Sequence, residues 1–103
     1  MLYQQGDVLI ETAEIPKSAK KVQPKNGKLI LAEGEATGHT HAIANTEKAE
    51  FFEQDGRLWL GVKKSVEVKH EEHHSITLPP GDFEVRKVQE YDHFLEESKD
   101  VVD

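Results

Sequence analysis

Five of the six histidines in this 103-residue chain fall in two short windows, Gly38-His39-Thr40-His41 and His70-Glu71-Glu72-His73-His74. Imidazole binds zinc, manganese, iron or nickel through one ring nitrogen, and a His-x-His pair on a strand turns two such nitrogens to the same face. At about 3.3 Å per residue their backbones stand about 6.5–7 Å apart, a span that one ion bridges. His70 and His74 lie four residues apart, on the same parity, with the carboxylate of Glu72 between them. The expected ligands of a divalent transition metal are therefore His39, His41, His70 and His74. Glu72 is expected as a further ligand, or as a general base beside a metal-bound water whose pKa the ion lowers. The chain has no cysteine, which excludes disulfides, iron–sulfur clusters and thiolate zinc sites and leaves nitrogen and oxygen to hold the ion.

Strands must position these windows. Gly6-Asp7 opens a β-branched and leucine run through Thr12 that reads as a first strand, with Val8, Ile10 and Thr12 on one face. Residues 13–28 are polar and broken by Pro16, Pro24 and Asn26-Gly27, which predicts a long loop with one short extended segment around Val22. Lys28 to Ala32 is apolar on both faces and reads as a central strand. Gly34 and Gly38 mark a bulge or bend, after which Thr37 to Ala44 is extended. If that strand stays regular through Gly38, then Thr37, His39, His41 and Ile43 share the interior face.

Ala49 to Glu53 and Arg57 to Val62 flank Gln54-Asp55-Gly56 as a hairpin, because Asp-Gly supplies the positive φ that the turn requires. Phe51, Phe52 and Trp59 are expected in the core. Lys64 to Lys69 alternates strictly. Continued without interruption, the alternation puts Val66, Val68, His70, Glu72, His74, Ile76 and Leu78 on the buried face and His73 on the solvent side. A turn within Glu71 to His74 would break that parity. Pro79-Pro80-Gly81-Asp82 is a turn, and Asp82 to Val88 returns as an antiparallel strand. The whole predicts an all-β fold over residues 1–91, a single small antiparallel β-barrel or sandwich. Residues 92–103 are expected as a short acidic C-terminal helix or loose tail.

The net charge of -7 and pI of 5.3 argue against nucleic acid and anionic membrane as partners. Charge is nonetheless uneven: Lys17 to Lys28 holds five lysines and no acid, whereas the tail from Glu90 sets six acids against Lys99. No apolar run approaches the length of about 18 residues of a membrane span, and the first residues lack the basic start and apolar stretch of a signal peptide, so a cytoplasmic protein is expected. There is no Gly-rich phosphate loop, no Gly-x-Ser-x-Gly elbow and no cysteine nucleophile. His93, in the acidic tail, is expected at the surface.

The histidine motif resembles the first motif of the cupin family, in which Gly, five residues, His-x-His, three or four residues, Glu, six residues and Gly follow in order. Here Gly34 is followed by four residues and His39-Thr40-His41, then by five residues and Glu47, then by eight and Gly56. The family's second motif, Pro-x-Gly, two residues and His, is matched by Pro79-Pro80-Gly81 but has Glu84 at the histidine position. The resemblance implies a jelly-roll barrel with an internal metal, held by His39 and His41 and by Glu47, without a histidine from the second motif. The order of Gly-Asp-Val-Leu, Gly-His-Thr-His and Leu-Pro-Pro-Gly is also similar to small bacterial and phage-associated proteins, a likeness that brings no activity with it.

Two functions follow as expectations. The first is a metal-binding β-barrel, acting as a metal-dependent enzyme on a small-molecule substrate or using its ion structurally. The alternative is a non-catalytic interaction module that presents the basic loop 17–28 and the acidic tail to a protein partner. Pairing of small barrels through an edge strand or apolar face makes a homo-oligomer compatible with either.

Overall fold

A computed structural model describes residues 1–33 and 38–87 of the chain. Ten strands run in order: β1 (Leu2–Gln5), β2 (Val8–Thr12), β3 (Lys20–Val22), β4 (Leu29–Glu33), β5 (Thr40–Ile43), β6 (Ala49–Gln54), β7 (Arg57–Val62), β8 (Val66–Val68), β9 (Ile76–Leu78) and β10 (Gly81–Lys87). Six form one sheet in the order β1-β2-β10-β7-β6-β3, and every pairing in it is antiparallel. The hairpins β4–β5 and β8–β9 make up the rest of the fold. Ala42 and Lys69 stitch them together by exchanging both backbone hydrogen bonds, at 3.0 and 2.9 Å.

The result is an all-β, sandwich-like layout, with no closed barrel among the described residues. A single core joins the layers: Val8, Ile10 and Phe83 from the large sheet meet Leu29, Ile43, Val66, Val68 and Leu78 from the hairpins. Ile10, Ile43, Leu60 and Leu78 are fully buried. At about 1.5–3 kcal/mol for each large aliphatic side chain removed from water, these contacts hold the hairpins to the sheet.

Turn chemistry follows the residues. Asp55 and Gly56 have φ of 52° and 77°, the pair of positive angles that a two-residue hairpin needs to match strand twist. Asn26-Gly27 does the same at 54° and 74°, with Lys25 and Lys28 exchanging hydrogen bonds of 2.8 and 3.0 Å, so the polar loop contains a tight hairpin turn of its own. β3 is the short extended segment expected around Val22.

The structure corrects the sequence reading in three places. β4, expected as a central strand, lies in a two-stranded sheet with β5. Leu2 to Gln5 forms a strand that propensity alone does not mark; it pairs with β2 across a two-residue turn at Gly6-Asp7. Trp59 is buried but faces away from the core: alternation along β7 puts Leu60 and Val62 inside and pairs Trp59 with Phe52 on the outer face. There the Arg57 guanidinium lies 5.1 Å from the indole centroid and donates to Glu84 at 2.9 Å. The expected C-terminal helix or tail lies outside the described residues. Among the described residues no helix is long and apolar enough to cross a membrane.

Candidate metal centre

The strand ends at one edge of the sandwich converge on a cleft of about 370 Å³ lined by His39, His41, His70, His73, Asp7 and Glu72. His39 lies just before β5 and His41 within it; His70 follows β8, His73 lies in the bend at 71–73, and Asp7 sits in the β1–β2 turn. Lys87 closes the end of β10 beside them.

His41 is the buried member, 4% exposed. The β4–β5 pairing slips at Leu31, with Ile30 opposite Ala42 and Ala32 opposite His41. Its ring is held from behind by Gln5, itself buried, with Nδ1 2.8 Å from Gln5 Oε1. The Gln5 amide nitrogen donates to the carbonyls of Val68 and His74, both at 2.9 Å. An amide nitrogen has only two hydrogens, so Oε1 is the atom that faces the ring, and His41 Nδ1 must be the donor. The lone pair of the neutral imidazole is then on Nε2, which stands 3.5 Å from Asp7 Oδ1. That separation is longer than a good hydrogen bond, and it matches the spacing of about 3.4 Å between two ligands bonded at about 2.0–2.1 Å to a tetrahedral ion.

The other imidazoles gather around it. His70 lies 4.3 Å from His41 between ring centroids, and His73 lies 4.6 Å from His70 and 6.0 Å from His41, nearly parallel to the latter. His39 meets His70 edge-on at 5.5 Å, and its Nδ1 is 3.7 Å from Glu72 Oε1. One ligand atom from each of His39, His70 and Glu71 lies within 4.8 Å of the others, which is the grouping among the described residues whose ligand atoms stand close enough to share an ion. His70 Nδ1 accepts the backbone N–H groups of Glu72 and His73 at 3.0 and 3.2 Å, so its neutral ring carries the proton on Nε2. An ion that uses His70 must displace those amides from Nδ1 or turn the ring over.

Gly6 makes room for His73. A Cβ at that position would lie 2.5 Å from His73 Nε2, and the φ of +60° already favours glycine.

Electrostatics separate the inner from the outer groups. Burial lowers the His41 pKa below its ordinary 6.5, the neighbouring His70 and His73 lower it further, and Asp7 partly opposes them. Glu71 is exposed and is held below the ordinary carboxylate value by the Thr40 N–H that it accepts at 2.9 Å, then by its own backbone amide, with His39 and His70 adding to this. Lys87 Nζ approaches Asp7 Oδ2 at 3.8 Å and the Glu33 carbonyl at 3.4 Å.

Of the expected ligands, His39, His41 and His70 come together, with Glu72 beside His39. His73 stands in the group where His74 was expected. The bend at 71–73 breaks the parity that assigned these two, and His74 contributes its backbone carbonyl to Gln5 while its side chain is exposed. Glu47, carried over from the cupin motif, lies beyond the far end of β5, where its N–H bonds Asn45 Oδ1 at 3.2 Å. His93 lies outside the described residues. Gln5, Asp7 and Lys87 carry no mark in the sequence: Gln5 and Asp7 lie more than thirty residues before His39 and Lys87 lies thirteen residues after His74, and only folding brings them there.

No curated protein and no solved structure matches the chain. A family model described as a domain of unknown function, DUF8820, matches residues 4–88, a span that takes in both histidine windows and the Gln5 and Asp7 turn. The chain belongs to that family.

Proposed function

We propose that this protein binds a divalent transition metal in the cleft at the end of the sandwich, using His41 Nε2 with His39, His70 and His73, and with Asp7 and Glu72 as the carboxylates. The observation that carries the reading is the convergence of four imidazoles, one of them buried and held in the Nδ1–H tautomer, beside a carboxylate oxygen at ligand spacing. Metal-bound histidines characteristically donate their second ring nitrogen to a carbonyl or carboxylate, as His41 does to Gln5. The donor set is nitrogen and oxygen, which suits zinc, manganese, iron or nickel. Such an ion supplies Lewis acidity and a water made acidic at neutral pH. The cleft is open to a small molecule, and Glu72, exposed at its rim, is placed to accept a proton there.

Elemental analysis by plasma mass spectrometry of untagged protein, beside the His39→Ala/His41→Ala variant, tests it. About one equivalent of a transition metal in the parent, lost in the variant, is the expected result. No metal in either, and none gained after zinc, manganese, iron or nickel is added, refutes it. That outcome would favour the interaction module, for which the mixed-charge groove lined by Lys20, Lys21, Glu53 and Asp55 along the sheet-edge strand β3 is the docking candidate.

A further inference from the structure

Gln5 joins three parts of the fold behind the cleft. It ends β1, at the edge of the large sheet, and is 3% exposed. Its amide oxygen meets His41 on β5; its amide nitrogen meets the carbonyls of Val68 and His74. Those two carbonyls bracket the segment that carries His70 and His73. All three polar contacts of the side chain thus end on elements that bear the cleft's imidazoles, and no buried side-chain nitrogen or oxygen among the described residues is left without a partner. A glutamine on an edge strand could serve the fold by making any three bonds. These three bonds select which nitrogen of His41 faces the cleft and fix the ends of the neighbouring bend.

We propose that Gln5 is a positioning residue for the metal centre: it holds His41 in the Nδ1–H tautomer, so that the Nε2 lone pair faces the cleft, and it clamps the two ends of the His70–His73 segment. The proposal deepens the metal-binding reading and rests on it for its consequence on affinity, though not for the tautomer itself. A neutral histidine in water favours the Nε2–H form, which cannot bind an ion through Nε2. A chain that lacks the Gln5 acceptor must therefore move a proton to expose the ligand atom. Partners of this kind are worth about 10–100-fold in metal affinity.

Two variants separate the two roles. Gln5→Leu removes the acceptor and the clamp together. Gln5→Glu keeps an oxygen acceptor for Nδ1–H but has no hydrogens for the Val68 and His74 carbonyls. The first readout is the tautomer of His41 in metal-free protein, taken from its ring-nitrogen shifts in a proton–nitrogen correlation spectrum. The second is zinc affinity by competition with a chelating dye, with the fold checked by thermal melting.

The expected result is Nδ1–H in the parent and in Gln5→Glu but Nε2–H in Gln5→Leu, with zinc binding about 10–100-fold weaker in Gln5→Leu and less reduced in Gln5→Glu. An Nε2–H form in the parent overturns the proposal whatever binds. So does Gln5→Leu binding zinc within about twofold of the parent, or both variants weakening equally with the tautomer unchanged, which is what a merely structural glutamine predicts. If Gln5→Leu does not fold, an Nε2–H form in Gln5→Glu overturns it alone. A parent that binds no zinc defeats the metal reading and the affinity half, while the nitrogen spectrum still decides the tautomer half.

Discussion

An imidazole taken out of water resists protonation, and His41 shows how neighbours set the size of that resistance. Burial disfavours its charged form, His70 and His73 add repulsion, and Asp7 is the one group that favours the cation. Its pKa is therefore lower in the folded chain than in the unfolded one. Over the interval below 6.5 the unfolded chain binds more protons, so stability falls as the solution is acidified through that interval and levels off below the folded-state pKa. Metal-free protein is expected to melt at a lower temperature at about pH 5.5 than at about pH 7.5. His41→Gln, whose amide still donates to Gln5, should reduce that difference; an unchanged pH dependence would show that the shift lies on another group.

Face assignment belongs to the strands. Val68 is fully buried on β8, whereas Lys69, one residue on, directs its side chain to solvent and uses its backbone to join Ala42. Val68→Asp places an unpaired charge in the core and should cost at least about 3 kcal/mol, while Lys69→Asp should cost less than about 1 kcal/mol. Chemical denaturation of the two variants checks the order, and a Lys69 change as damaging as the Val68 change would reverse the face assignment of β8. Alternation made this strand legible from sequence, as the Asp-Gly turn did for β6–β7 and the His-x-His spacing for His39 and His41. The strand period stops being informative where the chain bends at 71–73: His73 is exposed, as its parity predicts, yet it lines the cleft, and His74 does not. β1 was hidden because Leu2-Tyr3-Gln4-Gln5 shows neither alternation nor a β-branched run, and is a strand only because β2 is there to pair with it. Gln5 and Asp7 were hidden with it, because their roles depend on contacts with residues more than thirty positions away.

The cleft exists only in the assembled molecule. It draws on the β1–β2 turn and the end of β10 in the large sheet, and on β5 and the β8–β9 bend in the opposite layer. The unfolded chain has no such group of ligands, so an ion that binds there binds the folded state. Zinc at about 100 times its dissociation constant should add about 2.7 kcal/mol to stability. At about 4–8 °C per kcal/mol for a domain of this size, that raises the melting temperature by on the order of 10 °C or more. A melt with zinc and with excess chelator checks this; equal curves would place any bound ion somewhere other than between the layers. On the metal-binding reading an ion in the cleft would rivet the two layers together, and the abundance of the protein would then follow metal supply. Where the ion is scarce, a larger share of copies is open at any moment, and cellular proteases act on open copies. Scarcity would then shorten the life of each molecule, with no change in the rate at which it is made.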